Sequence, residues 1–205
     1  FTLIMTGLVF VQSLIGFAVD TFGALAVLNG SIHEAWARFF GATMKDDPRY
    51  NVKDCFETFP FPPDWQHNKN LEDIGQHYYE YRAALMIQNN EGLTKTYNRF
   101  HNPDERNPHI HTLRQLHAQM DRAVLDAYGW SDLQPSYDYR VQLDESIRLT
   151  WGEDTRDEIL ARLLERNRIL AQHQEASRPQ TPPSPKGGKV AKSGKKGGKD
   201  QGNLF

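Results

Sequence analysis

Apolar positions recur with helical spacing along most of the chain. Residues 31–40 place Ile32, Ala35, Trp36, Phe39 and Phe40 on one side and stop at Gly41, which predicts an amphipathic helix. Ser31 and Glu34 stand at capping-box spacing at its start. Just upstream, Asp20 or Thr21 is placed to cap a short helix through Leu28 that ends at Asn29-Gly30. A long helix is predicted from Asn70 to Asn89, with Leu71, Ile74, Tyr78, Tyr81, Leu85 and Met86 inward. A short helix over 94–100 and a loop over 101–107 follow. Asn107-Pro108 then supplies an N-cap and first-turn proline for a helix carrying Leu113, Leu116, Met120, Val124 and Ala127, ended by Gly129. The two long helices have the lengths and connection of an antiparallel hairpin. Thr155 and Glu158 form a second capping box. It opens a helix to Gln174 with Ile159, Leu160, Leu163, Leu164 and Leu170 apolar, and Glu158 and Arg162 pair across one turn.

Other stretches read differently. Residues 8–11 and 14–19 are short apolar, β-branched and aromatic runs, predicted to be two buried strands. Residues 45–53 form a polar loop, and the aromatic, proline-rich run 56–63 is expected to be extended. From Arg178 onward the chain is low in complexity. Prolines 179, 182, 183 and 185 favour a stiff start, and the Gly and Lys residues after them a flexible, self-repelling chain. No internal repeat is present. The expected class is α+β: a small strand and helix unit over 1–63, a mainly α-helical region over 64–177 and a disordered tail over 178–205.

Composition sharpens this picture. The 205 residues suffice for one ordinary domain with a core. Only 39% are hydrophobic and the mean hydropathy is -0.67, so part of the chain is expected to be solvated. The net charge is -2, but residues 178–205 hold seven basic residues against one acid, leaving an acidic body and a basic tail. That asymmetry suits an anionic partner for the tail, nucleic acid or an acidic surface, or equally a solubilising role. Cys55 is the sole cysteine, which excludes an intrachain disulfide and a zinc site of paired cysteines and fits a reducing cytoplasm. The first 19 residues lack charge, but Thr2, Thr6, Gln12 and Ser13 interrupt them and no basic flank precedes them. Buried strands explain the run better than a membrane span. The mid-domain character of the sequence at Phe1 suggests a fragment of a longer protein.

Several chemistries lack their residues. There is no phosphate-binding glycine loop and no Gly-x-Ser-x-Gly elbow. Pro103-Asp104-Glu105 opens like a metal-nuclease motif, but no Glu-x-Lys follows. His101, His109, His111 and His117 invite a metal reading. His109 and His111 are two apart and point in different directions on a helix, so surface and helix-start histidines are the expectation. Asp144-Glu145 and Glu153-Asp154 read as loop and helix-start charges.

Spaced motifs point elsewhere. Gly30-Ser31-Ile32-His33-Glu34-Ala35-Trp36-Ala37-Arg38 is followed by Arg49-Tyr50 and by Cys55-Phe56-Glu57-Thr58-Phe59-Pro60-Phe61-Pro62. Glu91-Gly92-Leu93-Thr94-Lys95-Thr96-Tyr97-Asn98 comes next. Leu116-His117-Ala118-Gln119-Met120-Asp121-Arg122-Ala123-Val124, ending at Ala127-Tyr128-Gly129-Trp130, and Arg156-Asp157-Glu158-Ile159-Leu160-Ala161-Arg162-Leu163-Leu164 complete the set. Together these resemble the end of the target-recognition region and the helical segment after it in large adenine-specific DNA methyltransferases. Those enzymes belong to type IIG/IIL restriction–modification and related phage-defence systems. The resemblance spans residues 7 to 175 and leaves out the tail.

The resemblance implies an upstream domain that binds S-adenosylmethionine and carries an Asn-Pro-Pro-Tyr-type loop for the flipped adenine. This chain has neither the glycine-rich turn nor that loop. Asn102-Pro103-Asp104 and Asn107-Pro108-His109 lack the second proline and the aromatic residue. No cofactor is therefore expected here, and the expected partners are double-stranded DNA and the upstream methyltransferase domain. Lys45, Arg49, Tyr50 and Lys53 are the candidate DNA-binding residues, the cations for phosphates or guanine edges and Tyr50 for stacking. The same segment reads equally as structure, with Phe56, Phe59 and Phe61 as core anchors and Arg49 in an ion pair. At the chain's end, Gln201, Leu204 and Phe205 resemble a bacterial sliding-clamp-binding pentapeptide, although Gly202 departs from the usual leucine. A helical interaction subunit that partners a separate methyltransferase subunit is the alternative.

Overall fold

The computed structural model describes residues 1–3, 16–41, 50–142 and 145–177. Among these, seven α-helices and one two-stranded antiparallel sheet make up the fold. The α+β class stands, with helix dominant. The strands are β1 (Tyr137–Val141) and β2 (Ile147–Trp151), a hairpin in which Tyr137 faces Trp151 and Tyr139 faces Leu149. Residues 8–11, 14 and 15 lie outside the described part. Residues 16–19 of the second predicted strand are irregular.

Helix α1 (Phe22–Asn29) starts where Thr21 Oγ1 accepts the amide hydrogen of Ala24 at 3.2 Å. Its residues 23–28 are all buried, so it runs through the interior without an outer polar face. Gly30 breaks it, and α2 (Ser31–Phe40) follows at once. The predicted capping box does not form. Ser31 is already inside the helix, and Glu34 instead holds Arg38 Nε at 2.8 Å. Ile32 and Trp36 are inward as expected, whereas Phe39 and Phe40 are exposed and His33 is buried.

Within the expected polar loop 45–53, residues 50–53 are described. Asn51 caps a short helix, α3 (Val52–Cys55). The run after it is a turn over 56–58 and irregular beyond, with Phe59 turned into the core. Helix α4 (Lys69–Asn89) is capped by Asn68 rather than opened by Asn70. Helix α5 (Leu93–Phe100) and helix α6 (Pro108–Tyr128) match the pattern, with Asn107 Oδ1 accepting the His109 amide and Gly129 ending α6 in a left-handed conformation. Tyr81 reaches the carbonyl of His109 and Tyr78 reaches His117, so α4 and α6 run antiparallel. Helix α7 (Glu153–Ser177) begins before the second predicted box, and Thr155 is a first-turn residue. Ile159 and Leu163 are its buried anchors, while Leu164 and Leu170 are exposed.

Two apolar cores result. One gathers Val27, Ile32, Trp36, Phe59, Val124, Tyr128, Trp151, Ile159 and Leu163. The other gathers Ala26, Tyr78, Leu85, Phe100, Ile110, Leu113 and Met120. Helix α1 lies between them, sending Val27 into the first and Ala26 into the second. Residues on either side of position 63 thus share both cores. Among the described residues, no helix is long and apolar enough to cross a membrane.

The contact of α1 with α4 depends on a missing side chain. A Cβ on Gly75 would stand 2.1 Å from the carbonyl oxygen of Phe22 and 3.2 Å from Ala26 Cβ. Backbone cannot swing aside as a side chain can, so overpacking here should exceed the usual ~1–3 kcal/mol. Gly75→Ala is expected to lower the urea midpoint of the chain by an amount equivalent to at least ~3 kcal/mol. A midpoint within error of the unmodified chain would contradict this close approach.

Candidate functional site

The residues singled out for DNA fall into two groups. Tyr50 and Lys53 are described, and Lys45 and Arg49 lie outside the described residues, as do Gln201, Leu204 and Phe205 of the tail. Asn51 accepts the Lys53 amide at 3.1 Å and so fixes the turn between Tyr50 and α3. Lys53 is exposed on that short helix. Tyr50 is half-buried. Its hydroxyl meets His33 Nε2 at 3.0 Å and its ring stands edge-on to Phe1. Burial raises the Tyr50 hydroxyl well above the usual phenol range, so it is a neutral hydroxyl at any physiological pH.

Behind this segment lies an aromatic wall. Phe59 stacks edge-on against His33 at 4.5 Å and packs near Trp36 and Phe61. Cys55 is buried beside the Ala37 carbonyl. Phe59 therefore serves as an anchor, and only the outer edge, with Lys53, faces solvent.

A second constellation had no counterpart among the sequence candidates. Asp121, 1% exposed on α6, receives the Ser31 amide on Oδ1 at 2.7 Å. Its Oδ2 accepts the hydroxyls of Ser31 and Tyr137. His117 Nε2 lies 3.3 Å from Ser31 Oγ and 3.5 Å from Asp121 Oδ2. The chain of contacts continues from His117 Nδ1 to the Tyr78 hydroxyl, to the Tyr97 hydroxyl and on to Arg82 Nη1.

Serine, histidine and aspartate together raise the question of a hydrolase triad. The geometry answers it. A triad needs serine on one imidazole nitrogen and the acid on the other, so that the base is oriented and its positive charge balanced. Here Ser31 and Asp121 crowd the same nitrogen, and the serine hydroxyl is spent on the carboxylate. The arrangement is a buried polar junction, with each polar atom satisfied by a neighbour. Its signal in the sequence was present: His117 and Asp121 sit one turn apart beside the apolar seam of Leu113, Met120 and Val124.

The other histidines have local roles. His101 Nδ1 accepts the Leu149 amide of β2 at 3.2 Å, and His109 neighbours the Tyr81 hydroxyl. Among the described residues, no group of three or more His, Cys, Asp or Glu side chains could hold a metal ion.

Two histidines give the fold an acid limit. Burial lowers His33 to about 3. Burial and then Arg148 lower His101 to about 4. In the unfolded chain both take up protons near the ordinary histidine value of about 6.5. Unfolding therefore binds protons below that pH. The stability these groups confer is complete above about pH 6.5 and is lost as pH falls toward 4 and below. Urea unfolding between pH 7 and 4 should show a shallower fall in stability for His33→Phe than for the unmodified chain. Equal slopes would mean that His33 is not held neutral.

Compared with known proteins, the chain matches no family model, no curated protein and no solved structure.

Proposed function

We propose that this chain is the DNA-recognising C-terminal part of a site-specific adenine-N6 DNA methyltransferase in a cytoplasmic restriction–modification or phage-defence system. The observation that carries the reading is where its resembling segments meet. Ile32 and Trp36 come from the first motif, Phe59 from the second, Val124 and Tyr128 from the fourth, and Ile159 and Leu163 from the last. All lie in one core. The Tyr128 hydroxyl donates to the Pro60 carbonyl at 3.0 Å, and Arg166 Nε donates to the Phe61 carbonyl at 3.1 Å. Such packing is what a recognition segment fixed to the helices after it would need.

On this reading, the aromatic block around Phe59 is a joint that fixes the recognition segment to the helices. The segment from Lys45 through Lys53 then meets the duplex, its cations on phosphates or guanine edges. The upstream domain would hold S-adenosylmethionine, which supplies the methyl group. Residues of this chain hold neither the donor nor the flipped adenine. Capture of a sliding clamp by Gln201, Leu204 and Phe205 is a separate proposal, resting on the tail sequence alone.

A second reading, a helical subunit that docks on a separate methyltransferase subunit, is favoured by one observation. Residues 168–177 of α7 are all exposed, and Ile169 and Leu170 border an open groove of about 480 Å³ beside Trp130.

Methylation profiling of DNA from cells expressing the complete coding frame distinguishes the two. The first reading expects N6-methyladenine within one short motif. Arg49→Ala or Lys53→Ala should reduce the methylated fraction or relax the motif, since a bidentate base contact is worth ~1–3 kcal/mol of discrimination. Methylation unchanged in motif and extent by both substitutions would overturn the recognition role. Co-purification with a separately encoded methyltransferase would establish the second reading.

A further inference from the structure

Arg140 and Arg148 stand directly opposite each other in the hairpin, one on each strand. Side chains alternate between the two faces of a strand. Tyr139 and Leu149, the adjacent pair, turn toward the helices, where Arg114 of α6 lies over the Tyr139 ring and Leu149 packs on the second core. The arginine pair is therefore on the outer face, with Asp138 and Thr150 as the neighbouring pair. Neither arginine forms an ion pair among the described residues. Asp138 is the acid on the same face, and its Oδ1 accepts the amide hydrogen of Tyr139 at 2.8 Å. Arg140 Nε is buried with no hydrogen-bond partner. Like charges directly opposite on a strand pair destabilise it. An anion lying across both guanidinium groups turns that repulsion into attraction, and phosphate suits the forked donor of arginine.

The shape of the hairpin says which phosphates. Val141 and Ile147 are on the inner face, yet they are 71% and 43% exposed. The ribbon thus continues past the edge of the core and stands clear of the helices. A two-stranded ribbon is one of the shapes that the major groove of B-form DNA admits. The major groove of an RNA duplex is too deep and narrow for side chains to read.

We propose that the hairpin is a second DNA contact, its projecting end seated at the major groove of a duplex with Arg140 and Arg148 on backbone phosphates. The inference rests on the DNA reading above and adds a contact outside the segment 45–53. Phosphate contacts fix position and orientation without reading sequence. The hairpin then holds the duplex in place while the segment 45–53 meets the bases.

The test is binding of a short labelled DNA duplex by the 205-residue chain across a salt series. Arg140→Gln and Arg148→Gln should each weaken binding and reduce the slope of log affinity against log salt by about one. Arg148→Lys keeps the charge and should keep the slope. Because the pair is repulsive in the free chain, neither glutamine variant should lower the urea midpoint. Binding that falls with Lys53→Ala but is unchanged by both glutamine variants would overturn the hairpin contact and leave the recognition segment standing. No saturable binding by the unmodified chain would overturn both. A lowered urea midpoint at unchanged slope would make the arginine pair structural and overturn the proposal. An RNA duplex of the same sequence held as tightly would overturn the fit to the B-form groove.

Discussion

The buried carboxylate of Asp121 is the contact on which the rest of the fold depends. Helix α2 follows α1 with only Gly30 between them, and Gly30 has no side chain to cap the new helix. Asp121 reaches across from α6 and takes that part, receiving the first amide of α2. The position is electrostatically apt, because the start of a helix favours negative charge. The same carboxylate also receives Tyr137, and so ties the β-hairpin to the helices. Gly30 is needed for the approach itself: a Cβ there would stand 3.0 Å from Asp121 Oδ1.

From this junction the two cores follow. With the start of α2 fixed on α6, Ile32 and Trp36 are committed to the core that α6 and α7 complete. Helix α1 must then pass between α4 and α6, where the absence of a side chain at Gly75 lets the backbones touch. The hairpin, held by Tyr137 at one side and by His101 on β2, closes the remaining flank with Trp151. The segment around Tyr50 is attached to the same unit through His33 and Phe59, so its exposed edge is carried on a fixed support. Polar contacts of this kind specify one arrangement among many apolar packings, because a mispaired buried carboxylate is expensive.

Much of this was legible in the sequence, and the failures have a common cause. Helices α2, α4, α6 and α7 announced themselves through apolar spacing, and α1 and the end of α6 through Thr21 and Gly129. The capping boxes at Ser31 and Thr155 misled because a local motif competes with tertiary partners. Asp121 outbid Glu34 for the start of α2, and α7 extended by a turn. His33 and Arg82 were hidden because a polar residue on an inward face looks like surface until its partner, distant in sequence, is known, and Asp121 was marked only by His117 one turn before it. The hairpin has a period-two alternation, with Tyr137, Tyr139, Leu149 and Trp151 inward, but each strand is only five residues long. At the candidate site, the closeness of Tyr50 and Lys53 was readable. The engagement of the Tyr50 hydroxyl by His33 was not, since it required the fold.

Native-state hydrogen exchange on the unmodified chain and on Asp121→Ala tests the organising role of this carboxylate most directly. If Asp121 joins α2, α6 and the hairpin into one cooperative unit, amides in all three lose protection together, by about a hundredfold for the loss of buried charge-assisted hydrogen bonds. Loss confined to the first turn of α2, with α6 and β1 as protected as before, would contradict the account.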